Sequence, residues 1–500
     1  MEAAYQNVIT EQHVDMLLTH QYLFYTKDFK VVSPSLDSKN TVSEKPFYLV
    51  FLLHPQNPML AKIYHSASIK TMKDIGNKTN QNNSPLQSWF QQELAAIDKQ
   101  KECFDEYFYY LNDKKLVSML KVHENLYERW SQYSQFKHSA HHFIVYIKEL
   151  PQDATPLNSP LSSVDLFQAI PASIYAFSIK DAFINGKQMK VGVNGSGWVN
   201  TRMRANFDSK YLMMYLAVLI QKRMGARYGY CNIFEDNMKS VGMTRNCGMF
   251  VGDQKLTFIG MNVKREGEEK NETNVREIDD VQDYVSTMKD VYGNDGFLIQ
   301  DLDCVYLHDS FAGCYVNTKE NFTFQLWKCK YAEMKETGER IPSFMVNNIV
   351  SHSMDESHEG PMPLNRSQYS KLVSDVKNIV FSKLENSKLE NNAQVANIIF
   401  VTLGDYDFNK FILDSYENSN LSFAKLYYSF QDLKLLDPKQ VRKSPLMKIT
   451  QASSRNYSKL LFTDVRDLTG KPMVWSNSIR DEINFHSSET NSFSGFASKL

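Results

Sequence analysis

Residues 208–237, DSKYLMMYLAVLIQKRMGARYGYCNIFEDN, decide how the chain is read. Leu212, Tyr215, Leu216, Leu219 and Ile220 recur at helical spacing and form one apolar stripe, so the spacing predicts a helix from Asp208 to Met224. Asp208 can accept from the first unpaired backbone N–H groups, and Gly225 can adopt the left-handed conformation that stops a helix. The stretch after it carries Asn232 and Asn237, which read as turn residues.

Working toward the N-terminus, MKVGVNGSGWVN (189–200) reads as a Gly-rich turn between short strands. The Pro-rich PQDATPLNSP (151–160) reads as a linker, and HHFIVYIKEL (141–150) as a strand. From Lys45 to Ile63, the apolar run KPFYLVFLL, the turn HPQNP and the short run MLAKIY predict a hairpin, and a long helix is expected over 86–133. Working toward the C-terminus, CGMFVGD and QKLTFIGMNV suggest a hairpin about Gly252 and Asp253, and the charged KREGEEKNETNVREIDD an exposed loop. DGFLIQDLDCVYLHD reads as a buried strand and turn, HSMDESHEGPMPLNRS as a second linker. NNAQVANIIFVTL, GDYDFNKFILDSYE and LSFAKLYYSFQDL are read as mostly helical. The expected architecture is therefore mixed α/β (α+β), with a smaller strand-containing N-terminal part and a larger, mainly helical C-terminal part. Its expected divisions are an N-terminal α+β domain with the hairpin at 1–150, a central α/β domain at 161–350 and a helical region at 365–500. No internal repeat is visible.

Composition narrows function only by class. Lys and Arg number 56 against 57 Asp and Glu, so no net field draws a polyanion to the chain. Apolar runs such as Tyr211 to Ile220 are too short for a membrane helix, and the start lacks a basic then apolar leader pattern, so no membrane association and a cytoplasmic location are expected. Six scattered cysteines without a C-x-x-C pair read as reduced thiols. His138, His141, His142, His352 and His358 lack the fixed spacing of a zinc site and are read as solvated loop residues. Ser498, Lys499 and Leu500 spell a peroxisomal address, which adds that compartment as an alternative.

The order of elements resembles the protein-kinase superfamily in a divergent form. Lys62 of MLAKIY stands on a strand where kinases carry the phosphate-holding lysine, and Glu93 on the next helix offers its carboxylate partner. Tyr230 to Asn237 occupy the places of H-R-D-x-x-x-x-N: Asn237 keeps the metal-binding Asn, but Asn232 stands at the base and Tyr230 at the His. For the magnesium-binding D-F-G there are two stand-ins, KLTFIG with Phe258 in the Asp place and DGFLIQDLDCVY with Asp301 and Asp303. Asp405 or Asp407 would cap the catalytic loop, and no G-x-G-x-x-G precedes Lys62. The resemblance implies a weakly active or inactive kinase-like protein that binds ATP and Mg2+ through Lys62, Glu93, Asn237, Asp301 and Asp303, with Asn232 at the catalytic position. An amide there cannot take the proton a carboxylate would.

A second reading is a nucleic-acid-binding or structural assembly protein. Arg202, Arg204, Lys222, Arg223 and Arg227 surround Tyr228 and Tyr230, the mixture of cations and rings that single-stranded RNA or DNA favours. Protein partners are expected on either reading, and the abundance of Asn, Lys, Phe and Tyr has the cast of an AT-rich, viral genome.

Overall fold

The computed structural model describes residues 11–20, 22–25, 31–32, 48–53, 140–148, 170–199, 208–235, 237–246, 250–265, 274–293, 296–334, 338–352, 364–387, 393–403, 406–416, 422–432, 462–466 and 473–475. Among them the first half runs α1 (Glu11–His20), β1 (Tyr22–Tyr25), β2 (Val31–Val32), β3 (Tyr48–Leu53), β4 (Ala140–Lys148), β5 (Ile170–Ile184), β6 (Lys187–Val199), α2 (Asp208–Arg223), β7 (Ala226–Phe234), α3 (Met238–Asn246) and β8 (Phe250–Lys264). The second half runs β9 (Val275–Ile278), α4 (Val281–Tyr292), β10 (Phe297–Ile299), α5 (Leu302–Tyr306), β11 (Phe311–Asn317), β12 (Phe322–Met334), β13 (Arg340–Ser351), α6 (Arg366–Glu385), β14 (Val395–Leu403), α7 (Tyr406–Ser415), β15 (Ser422–Asp432) and β16 (Met473–Trp475).

The strands form a 16-stranded sheet whose main path is β2-β1-β3-β4-β5-β6-β7-β15-β8-β14-β13-β12-β11-β9. Its centre is a palindrome. Exchanging β4 with β11, β5 with β12, β6 with β13, β7 with β14 and β8 with β15 returns the same order. Each unit is an antiparallel meander, a helix, a strand that pairs parallel to the last meander strand, a second helix and a final strand. The final strands are exchanged. β15 of the second unit pairs with β7 of the first, β8 of the first pairs with β14 of the second, and β8 and β15 pair with each other.

Local chemistry sets these elements. Asn185 and Gly186 turn β5 into β6 with φ of 50° and 71°, the doubly left-handed pair that a two-residue hairpin needs. α2 buries Leu216, Ala217 and Ile220 and stops where Gly225 takes φ 90°. α4 is capped by Asp280, whose carboxylate accepts from the Gln282 and Asp283 amides. α6 starts in a capping box of Asn365 and Gln368. The sheet is covered on both faces. On one, β5, β7, β8, β12 and β14 pack against α4, β10 and α5 through Ala182, Tyr230, Phe258, Trp327 and Val401. On the other, Met261, Phe324, Ile398 and Phe400 pack against α6 and α7.

Two sequence expectations are corrected here. The C-terminal region is not mainly helical: VANIIFVTL and SFAKLYYSFQD are β14 and β15, strands in the middle of the sheet. β14 alternates Ile399 and Val401 into one core and Ala396, Ile398 and Phe400 into the other. A strand buried on both faces is a continuous apolar run, whose periodicity does not separate it from a buried helix. The hairpin expected about Gly252 and Asp253 is absent as well, since β8 runs unbroken through both. Lys62, Glu93 and the helix expected over 86–133 lie outside the described residues.

The exchange of β8 and β15 makes each unit incomplete without the other. Residues 1–270 and 271–500 expressed separately should each give no cooperative thermal transition, and co-expressed they should reassemble into one species that melts near the intact chain. A cooperative transition from either fragment alone would show that the exchange is not needed for folding.

Candidate functional site

In both units the parallel pair parts at the same place, one residue before a bulge. β6 and β7 pair through Asn194 opposite Cys231, after which Tyr175 of β5 faces two residues of β6, between the Gly195 and Trp198 rungs. β13 and β14 pair through Val346 opposite Phe400, after which Phe324 of β12 faces Asn348 and Ile349, between the Asn347 and Val350 rungs. A bulge adds a residue, bends its strand and turns it from its neighbour. Beyond it β6 stays with β5 and β13 with β12, while β7 follows β15 and β14 follows β8. Each unit thus has a splay at the carboxyl ends of two parallel strands, the place where open α/β sheets take ligands.

The base of the first splay is held by amides. Gln221 of α2 donates from Nε2 to Asn194 Oδ1 at 2.5 Å, and Asn194 Nδ2 lies 3.5 Å from the Tyr230 carbonyl across the parallel pair. The Gln221 chain fits because residue 192 is glycine: a Cβ there would stand 1.8 Å from Gln221 Oε1. That oxygen is buried without a hydrogen-bond partner among the described residues.

The second splay is occupied by the chain itself. Residues 462–466, Phe-Thr-Asp-Val-Arg, lie mostly buried against the β13 bulge. Asn348, held at φ 49°, accepts from the Thr463 amide at 2.8 Å and donates to the Thr463 carbonyl at 3.1 Å. Asn347 donates to the same carbonyl at 2.7 Å and accepts from Trp327 Nε1 at 3.0 Å. Asn348 also donates to Gln325 Oε1, and Gln325 Nε2 reaches the Tyr284 hydroxyl, each at 3.0 Å. Two residues further, a buried ionic group closes over the segment. Asp464 Oδ2 accepts from Lys180 Nζ at 2.7 Å and from Arg466 Nη2 at 2.8 Å, and Arg466 Nη2 donates to Asp301 Oδ2 at 2.8 Å. Burial alone would raise the Asp464 carboxyl, but Arg466 and Lys180 hold it well below the usual carboxylate range. Burial opposes the charge on Arg466, and Asp464 and Asp301 more than offset it, raising the guanidinium further. Lys180 belongs to β5 and Asn348 to β13, so this short segment ties the two units together.

The positions named from the sequence do not converge. Tyr230, Cys231 and Asn232 stand in β7, paired with β6 on one side and β15 on the other, so the backbone is a sheet interior rather than a catalytic loop. Asn237 accepts from the Ser240 amide at the start of α3, a helix cap. Phe258 lies in the core on β8. Asp301 is the buried partner of Arg466, whereas Asp303 is exposed in the first turn of α5. No group of three or more His, Cys, Asp or Glu able to hold a metal occurs among the described residues. Of the groups named for nucleic-acid binding, Tyr228 and Tyr230 are core residues and are not on the surface to stack on bases. Arg223 pairs with Asp15 at 2.7 Å and Arg227 lies 5.1 Å over the Tyr228 ring, while Lys222 is exposed and Arg202 and Arg204 lie outside the described residues. His352 is half-buried and bonded to Thr323 rather than solvated; burial lowers its pKa, as it does that of His308. Asn347, Asn348, Gln221 and Arg466 were not singled out from the sequence.

A separate cavity of about 400 Å3 is lined by Glu277, Tyr306, Phe311, Gly313, Lys328 and Lys383, among others. Lys383 is already paired with Glu277 at 2.9 Å.

No protein-family model and no curated protein matches the chain. Among solved structures it is similar to N-myristoyltransferase from Saccharomyces cerevisiae with bound myristoyl-CoA, at 8% identity and a TM-score of 0.35, over 62% of this chain and 71% of that one. It is also similar to a GCN5-related N-acetyltransferase from Anabaena variabilis, at 5% identity and 0.34, over 64% of this chain and 71% of that one. A third, from Kribbella flavida, gives 9% identity and 0.32 over 64% and 69%. These three are N-acyltransferases, not protein kinases.

Two substitutions test the segment. Arg466→Met leaves Asp301 and Asp464 buried short of a cation and should lower stability by about 3–5 kcal/mol, read as a fall in the denaturant midpoint. Because the folded carboxyl of Asp464 is depressed, its contribution is present above about pH 4 and is lost as pH falls below that value. Asp464→Asn should therefore lower stability at pH 7 and flatten the loss of stability on acidification. An unchanged acid limb would remove Asp464 from that account.

Proposed function

We propose that this chain binds an acyl-coenzyme A in the first splay, between β6 and β7, and transfers its acyl group to an acceptor. The observation that supports the reading is the bulged parting of the parallel pair after Asn194 and Cys231. Beyond Asn194, β6 has no strand beside it on the β7 side among the described residues, and backbone N–H and C=O groups there favour a partner. A narrow, extended ligand with amides spaced along its length suits those groups, and pantetheine carries two. In the sequence, Arg202 and Arg204 fall between the last residue of β6 and the first of α2. A strand-to-helix connection is where phosphates gather, because the helix N-terminus and nearby guanidinium groups favour negative charge. An acyl-coenzyme A combines the amide chain and the phosphates in one molecule, whereas ATP lacks the amide chain. Attack of an acceptor amine or hydroxyl on the thioester carbonyl at the end of the pantetheine arm forms the new acyl bond as the C–S bond breaks, and coenzyme A leaves as the thiol, the acceptor having given up one proton.

Coenzyme A and acetyl- or myristoyl-coenzyme A should each raise the melting temperature of the full chain saturably, since a ligand that binds only the folded state stabilises it by mass action. ATP with Mg2+ at the same concentrations should not. The Arg202→Ala, Arg204→Ala double variant should bind about tenfold more weakly or worse, from the lost charge-assisted contacts. No shift with any of the coenzyme A species at millimolar concentration would refute the reading.

A further inference from the structure

We propose that the β13 bulge is a recognition site for the main chain of a short peptide segment, and that Phe462–Arg466 is its covalently attached ligand. The site would accept in trans a peptide of the form apolar, small, acidic, apolar, arginine. This inference is independent of the acyl-coenzyme A reading, which concerns the other splay.

The first support is how Thr463 is held. A strand inside a sheet is bound by its neighbours' backbones, but the Thr463 amide and carbonyl are both met by side chains, those of Asn348 and Asn347. Two-point recognition of one residue's N–H and C=O by an asparagine reads the main chain, while the burial of Thr463 limits the size of the side chain there. The asparagines are themselves set for this task, Asn347 by Trp327 and Asn348 by Gln325 and its left-handed backbone. The second support is that specificity is supplied at two further positions by groups outside the segment. Lys180 of β5 reads the carboxylate at 464, and Asp301 reads the guanidinium at 466. Phe462 and Val465 enter the core beside these groups, with the Phe462 ring edge-on to Tyr292 at 5.6 Å. The Phe462 amide adds one bond to the Phe297 carbonyl at 3.0 Å. The third support is connectivity: residues 433–461 separate the segment from β15. The receiving groups come from β5, β12, β13 and Asp301, the residue before α5, all more than a hundred residues earlier in the chain than the segment they hold.

The test uses a fluorescein-labelled peptide of residues 459–469, titrated with two forms of the full chain and read by anisotropy. In the Thr463→Pro, Asp464→Lys variant the tethered segment loses the amide that Asn348 accepts from and puts a cation against Lys180. This variant should bind the peptide saturably and at least about tenfold tighter than the wild-type chain, whose own segment competes at high effective concentration. Peptides carrying the D464N or the R466Q change should bind the variant about tenfold more weakly or worse. A folded variant with no saturable binding, with affinity equal to the wild-type chain, or with no preference among the three peptides overturns the proposal. Should the variant not fold, amide hydrogen exchange on the wild-type chain decides. Thr463 exchanging while β12 and β13 stay protected supports a separable ligand, and Thr463 exchanging only with those strands overturns it.

Discussion

The centre of this molecule is organised about one constraint: a bulge in each of two strands sits where a parallel pair stops being paired. Gly195 to Trp198 and Asn347 to Val350 each oppose a three-residue stretch of the neighbouring strand with four residues. The extra length bends β6 and β13 away from β7 and β14, which continue on their other edge with the exchanged strands β15 and β8. The two splays therefore open beside strands that stay anchored in the sheet on their far side.

The two splays have the same backbone and different chemistry. In the first, small residues and the Gln221 to Asn194 contact line the base. In the second, Val346 takes the place of Asn194 and Phe344 that of Gly192, and the polar work moves to the bulge asparagines. Among the described residues, a segment of the chain is bound only at the second of these duplicated gaps, which is the filled one. The filled one is costly to disturb, because Asp464, Arg466 and Asp301 are all taken from water and balanced only by each other and Lys180.

Parts of this were open to reading in the sequence. The helix at 208–224 carried its stripe, its cap and its terminal glycine, and α2 occupies that span to within a residue. Asn185-Gly186 is a hairpin signal that could have fixed the β5 to β6 turn. β14 and β15 were misread because a central strand shows no alternation of apolar and polar residues. The site was harder still. Asn347 and Asn348 are two amides in an apolar run, and their role depends on a peptide unit more than a hundred residues away in sequence. Asp301 looked like a metal ligand because the cation it faces, Arg466, is as distant. The repeat was invisible because it is a repeat of strand order and bulge position, carried by different residues in each copy.

The crossed-over strands also bear on how the molecule is made. Translation delivers β7 and β8 long before β15 and β14, so during synthesis the first unit exposes two strand edges with nothing to pair with. Such edges template pairing with other chains. At ordinary elongation speeds of about 5–20 residues per second, the roughly 160 residues separating β8 from β15 take on the order of ten seconds to appear. For that interval the nascent chain depends on being kept apart from its neighbours, and two copies growing on one messenger are well placed to lend each other the strand that is still missing.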